Sequence, residues 1–149
     1  MVKPKHKHPA FGAVVDDLKK KKARLGADPG EAERSRPVWH VGSMDWDGPY
    51  GWAALTDPAL VRELWERLRA FESMSWVEIE QQGGSHNVEI AKLSAEARQR
   101  LVELRQDDVD ELFSLRMTGR RRVWGFREAN VLRFLWWDPD HQVCPVDKG

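Results

Sequence analysis

Apolar residues at Phe11, Val14, Val15, Leu18 and Leu25 have the spacing of an amphipathic helix. Asp16 and Asp17 stand four residues before Lys20 and Lys21, the better orientation for ion pairs along such a helix. Gly26 can end it, and "ADPGEAERSRP" then reads as a linker. Val38 to Trp52 begins as a strand and dissolves into turns, with Trp46, Tyr50 and Trp52 expected to cover one edge of the core. Asp57 before Pro58 is an N-cap followed by proline at the first helical position. Leu60, Val61, Leu64, Trp65, Leu68 and Phe71 then form one apolar face. Ser75 and Glu78 make a capping box, stapled by Met74 and Ile79, so a short helix should run to about Gln82 and break at Gly83-Gly84. His86, Val88 and Ile90 alternate with Asn87, Glu89 and Ala91, a short strand. Ser94 caps a further helix that turns Ala97, Leu101 and Leu104 inward.

The last forty residues carry the β signal. Phe113, Leu115 and Met117 share one face, and Leu112, Ser114, Arg116 and Thr118 the other. Gly119 turns the chain, Arg121 to Arg127 returns, and "REAN" turns again. Val131 to Trp137 is apolar on both faces, as a central strand would be, until Pro139 breaks it. "HQVCPV" could add a short final strand. The pattern predicts an α+β fold in which N-terminal helices pack on an antiparallel meander. Residues 1–36 are expected to form a basic arm with a short helix and linker, its first nine residues disordered, and residues 37–149 a single α+β domain.

A chain of 149 residues can bury roughly two thirds of its unfolded surface, enough for a real core. The formal net charge is zero, but it is unevenly spread. Residues 1–36 hold ten Lys and Arg against five Asp and Glu, and the remainder fourteen against nineteen. The basic arm suits either a nucleic-acid contact or simple solvation of the terminus. No apolar run approaches a membrane helix, the start lacks the apolar core of a secretion signal, and the lone Cys144 excludes an internal disulfide. A cytoplasmic protein with no membrane partner is expected. The eight tryptophans are read as filling a mixed core.

Candidate chemistry lies in two places. Arg116, Arg120, Arg121 and Arg122 fall within seven residues, and Arg127 and Arg133 follow on the next strands. Arginine offers a planar, permanently charged fork for phosphate, yet charged residues on strands also block edge-to-edge pairing. Spacing leaves both roles open, with protection ahead. In "WWDPDHQVC", His141 follows Asp138 and Asp140, which suits proton transfer or a plain surface turn. Cys144 reads as a small buried residue rather than a nucleophile. Asp45-x-Asp47-Gly48 matches the opening of a calcium loop, but the later ligands are missing, and the histidines and Cys144 lack zinc spacing. Neither a metal nor a cofactor is expected.

The stretches "ELFSLRMTGRRRVWGF" and "VLRFLWWDPDHQVCP" resemble the hairpin and last strands of the RelE/ParE superfamily of bacterial toxins, over about residues 86–146. The resemblance implies a metal-independent endoribonuclease that cuts messenger RNA at the ribosome and is neutralised by a cognate antitoxin. It also implies a catalytic set of His141, Arg122 and Arg116, with Arg120, Arg121, Arg127 and Arg133 contacting RNA. His141 would be base or acid in attack of a ribose 2′-hydroxyl on phosphorus. Cys144 stands where several members carry tyrosine, and the sheet lacks their lysine cluster. Some members inhibit DNA gyrase instead, so a non-catalytic interaction protein on the same scaffold, phage- or defence-related, is the alternative.

Overall fold

The computed structural model describes residues 30–145, and the expectations for the N-terminal helix and the first nine residues lie outside them. The chain divides into Met1–Ala32 and Glu33–Gly149, and the account below concerns the second unit. The helices among the described residues are α1 (Gly30–Arg34), which begins three residues before that division, α2 (Pro58–Phe71), α3 (Trp76–Gln81) and α4 (Ala95–Glu103). The strands among the same residues are β1 (Val38–His40), β2 (His86–Glu89), β3 (Glu111–Arg116), β4 (Arg122–Glu128) and β5 (Val131–Asp138). The fold is α+β.

Local signals start three helices where the sequence places them. Asp57 accepts the Ala59 N–H ahead of α2, and Ser75 and Glu78 form both bonds of the capping box on α3. Ser94 accepts the Ala97 N–H ahead of α4. Residues 30–34, expected as linker, instead form α1. The expected final strand does not form among the described residues. The segment after Asp138 turns instead, burying Val143, whose carbonyl receives the Ser94 N–H at 2.8 Å.

The sheet order is β1-β5-β4-β3-β2. The meander β3-β4-β5 is antiparallel as expected, and β2 adds antiparallel to β3. β1 corrects the expectation of a pure meander that follows the helices. It pairs parallel with β5, so the sheet is mixed and strands and helices interleave along the chain. Three residues are too few to show a period, and what recruits them is the open edge of β5. β5 is thereby central, which explains its two apolar faces.

Helices cover both faces. α2 and α3 close one face over Phe113, Leu115, Val123, Leu132 and Phe134. α4 closes the other over Leu112, Trp124, Phe126, Leu135 and Trp136. Two aromatic expectations fail at the rim. Val61 and Trp65 of α2 are exposed, because its apolar face is wider than the strip the sheet can cover, and Trp46 is also exposed. Four buried indoles each find an acceptor: Trp52 on the Leu135 carbonyl, Trp76 on that of Asn130, Trp124 on Asp138 and Trp136 on Asp45.

A bulge sets the phase of the last strand. Trp124 faces Trp136, but Gly125 faces Phe134, so Leu135 is the extra residue. Leu135 and Trp136 both enter the α4-side core, and Trp137 returns to the other. Strict alternation from Leu132 and Phe134 would have sent Asp138 to the α2 face. The bulge sends it to the α4 face, opposite Arg122. Gly125 permits this, since a Cβ there would collide with the Arg133 carbonyl.

Candidate functional site

The strand register arranges the site in two rows. His86, Ser114, Trp124 and Trp136 are neighbours across β2-β3-β4-β5, and Arg116, Arg122 and Asp138 form the next row toward the strand ends. A cavity of about 590 Å³ opens there. It is lined by Gly84, His86 and Val88 from β2 and its approach, Lys92 from the turn beyond, and Ser114, Arg122 and Trp124. His141, Cys144 and Pro145 close it from the C-terminal segment. Its ionisable lining residues are two histidines, a lysine, an arginine and a thiol, and no carboxylate lines it.

Asp138 lies beneath, only 1% exposed. Its Oδ2 accepts the Trp124 indole N–H and the Val143 N–H, both at 3.0 Å, and its Oδ1 accepts the Gln142 N–H at 2.7 Å. The carboxylate thus holds the turn rather than the imidazole. By tying residues 142 and 143 it keeps His141 in the left-handed region at φ +60°, a conformation that costs a bulky residue about 1 kcal/mol. His141 Nδ1 is enclosed without a hydrogen-bond partner, so Nε2 is the nitrogen available to a ligand. Asp140 is exposed, with Arg120 Nη2 at 3.8 Å.

Arg122 donates to the carbonyls of Gly119 and Arg121 within its own turn. Burial, and the charge of Arg116 beside it, lower its pKa. Arginine stays charged under such pressure, and buried Asp138 opposite it in the register acts against the repulsion from Arg116. Arg116 is exposed; its backbone N–H bonds Ser85 Oγ at 2.9 Å, and it stands at the rim rather than among the lining residues. Burial pushes the Cys144 thiol up, and the thiol bonds the Lys92 carbonyl at 3.4 Å, so it is no thiolate nucleophile.

The structure therefore brings Arg122 and His141 into one cavity with Arg116 at its edge, and disperses the other arginines. Arg121 binds Glu63 and Thr118, tying the hairpin to α2. Arg133 pairs with Glu128 and lies over the Phe126 ring. Arg127 does not fit an RNA contact. Its side chain is 9% exposed, paired with Glu33 and Glu80 and stacked over Trp76 on the opposite face. Sequence reasoning missed His86 and Lys92 as site residues. The alternation of His86 with Val88 placed both on one strand face, but only the pairing of β2 with β3 shows what that face adjoins.

A second polar centre is structural. Asp45, 5% exposed, takes two hydrogen bonds from Arg100, one from Trp136 and one from the Gly48 N–H. The Arg100 guanidinium holds this carboxyl below the usual range. Asp45 thus anchors α4 to the sheet. Among the described residues no group of three or more His, Cys, Asp or Glu side chains is arranged to hold a metal ion, and no helix is long and apolar enough to cross a membrane.

No protein-family model matches the sequence, and no curated protein and no solved structure matches it either.

Proposed function

We propose that the protein binds RNA at the cavity between β2, β4 and the C-terminal turn, and cleaves it there as a metal-independent endoribonuclease. The carrying observation is the lining: Arg122, Lys92 and two imidazoles, with no carboxylate among the lining residues and Glu89 pairing with Lys92 outside them at 3.3 Å. Such a surface attracts a phosphodiester and repels cationic ligands. Arg122, with Arg116 at the rim, holds the phosphate and offsets the charge that grows on it, and His141 transfers a proton. The RelE/ParE resemblance extends this reading to messenger RNA on the ribosome and to an antitoxin covering the sheet.

The test is cleavage of a mixed-sequence RNA by purified protein in the presence of a chelator, with Arg122→Ala and His141→Asn alongside. Asparagine tolerates the left-handed backbone at position 141, so that variant separates chemistry from folding. Cleavage by wild type and its loss in both variants supports the reading. An inert wild type, or equal cleavage by both variants, rejects it.

A non-catalytic interaction protein is the second reading, favoured by the exposed Val61 and Trp65 on α2 and by Trp46. It predicts RNA cleavage indistinguishable from buffer, with a partner whose binding is lost in Trp65→Ala.

A further inference from the structure

His86 lines the cavity together with His141, and its ring is held in one tautomer. Its Nδ1 lies 2.9 Å from the Asn87 carbonyl oxygen. A carbonyl can only accept, so Nδ1 carries the hydrogen, and the neutral ring keeps its free lone pair on Nε2. A histidine oriented in this way is a base. The same contact to the following residue's backbone keeps the ring from turning Nδ1 toward a ligand. His86 is exposed on β2, and the small Ser114 is its partner across the register.

Building on the ribonuclease reading, we infer that His86 is the general base of this cavity and His141 its general acid, which makes the substrate an RNA phosphodiester with a free 2′-hydroxyl. His86 Nε2 takes the 2′-hydroxyl proton as the 2′-oxygen bonds to phosphorus. The bond from phosphorus to the 5′-oxygen breaks, and protonated His141 gives its Nε2 hydrogen to that departing oxygen. The products are a 2′,3′-cyclic phosphate and a 5′-hydroxyl. Both rings return to their starting protonation by exchange with water, so no oxidant, reductant or metal enters. DNA, which lacks the 2′-hydroxyl, binds without being cut.

The charged and titratable groups around the two rings are Lys92 beyond β2 with its partner Glu89, Arg116 on β3, Arg122 on β4, Asp140 beside Arg120 ahead of His141, and Cys144 with buried Asp138 at the C-terminal side. None of them is a free carboxylate that could replace His86 as base.

The experiment measures kcat/KM against pH for wild type, His86→Gln and His141→Asn on a dinucleotide RNA, and on the same dinucleotide with sulfur as the 5′ leaving atom. Sulfur departs without a proton. Wild type should give a bell-shaped profile. His86→Gln should lose the rise on the acid side and fall roughly 10²–10⁴-fold on both substrates. His141→Asn should fall similarly on the oxygen substrate and recover on the sulfur one. His86→Gln within about threefold of wild type, with its acid-side rise intact, overturns the assignment while leaving the Arg122 and His141 reading in place. Recovery of His86→Gln by sulfur reverses the roles and also overturns it. A wild type that cleaves neither substrate removes both readings.

Discussion

Arg122 and Arg127 occupy opposite ends of β4, on opposite faces of the sheet, and their surroundings differ in kind. Arg127 is enclosed by two carboxylates and two aromatic rings, Trp76 and Phe113. Arg122 hydrogen-bonds backbone carbonyls of its own turn, with the charge of Arg116 acting against its ionised form and that of buried Asp138 in favour of it. One strand thus carries an arginine paired directly with two carboxylates, and another that hydrogen-bonds backbone carbonyls and has buried Asp138 opposite it in the register. The first serves cohesion of the sheet. The second is the one that the proposed RNA contact uses.

The contrast is broken most directly by removing each arginine in turn. Arg122→Ala should lower RNA cleavage roughly 10²–10³-fold, the effect of deleting one donor to a charged transition state, and change urea-unfolding stability by less than about 0.5 kcal/mol. Arg127→Ala should do the reverse. It strands Glu33 and Glu80 and should cost roughly 3 kcal/mol in the same unfolding assay, while cleavage per folded molecule stays at the wild-type level. If Arg122→Ala proves the more destabilising of the two, the division between cohesive and ligand-directed arginine is wrong.

One buried acid, Asp45, and one half-buried acid, Glu80, sharpen the same contrast through pH. Asp45 is held below the ordinary carboxyl range by Arg100, so its contribution is full above the unfolded value of about 3.9 and is lost as pH falls through the folded value. Burial raises Glu80, first of its causes, so its ionisation works against the fold. That contribution is present below the unfolded value of about 4.3 and lost as pH rises through the folded value. Asp45→Asn should therefore cost roughly 2 kcal/mol near neutral pH and flatten the loss of stability below about pH 4, read from urea midpoints across pH. A variant that keeps the wild-type acid slope would remove Asp45 from this role.

A stabilising change is expected at His141. Glycine adopts φ +60° freely, so His141→Gly should raise stability by about 0.5–1 kcal/mol in thermal unfolding while abolishing cleavage. A loss of stability instead would show that the imidazole packs more than it strains.

Much of the scaffold could be read ahead of the structure. The caps at Asp57, Ser75 and Ser94, the turn at Gly119 and the two-faced apolar run of β5 are local patterns, and each formed where its pattern lies. Arg122 and His141 were legible as candidates, and they share a cavity. Arg127 looked the same in sequence as Arg122 and ended on the other face, because alternation along β4 separates residues five apart. His86 and Lys92 were illegible as site residues, since nothing within β2 shows which strand it will pair with. Asp45 resembled part of a metal loop and became the partner of Arg100, fifty-five residues away.

Read without coordinates, this chain dictates its helices, its hairpin and its excess of arginine near the turn, because capping, periodicity and turn geometry act over a few neighbouring residues. Folding alone chose which arginines would be paired with carboxylates and which would line a cavity. That choice depended on the parallel seat of β1, the register of β2 against β3, and a single extra residue at Leu135 that turned Asp138 toward Arg122. Contacts between distant segments leave no trace in local spacing, and a one-residue shift in a strand exchanges its faces.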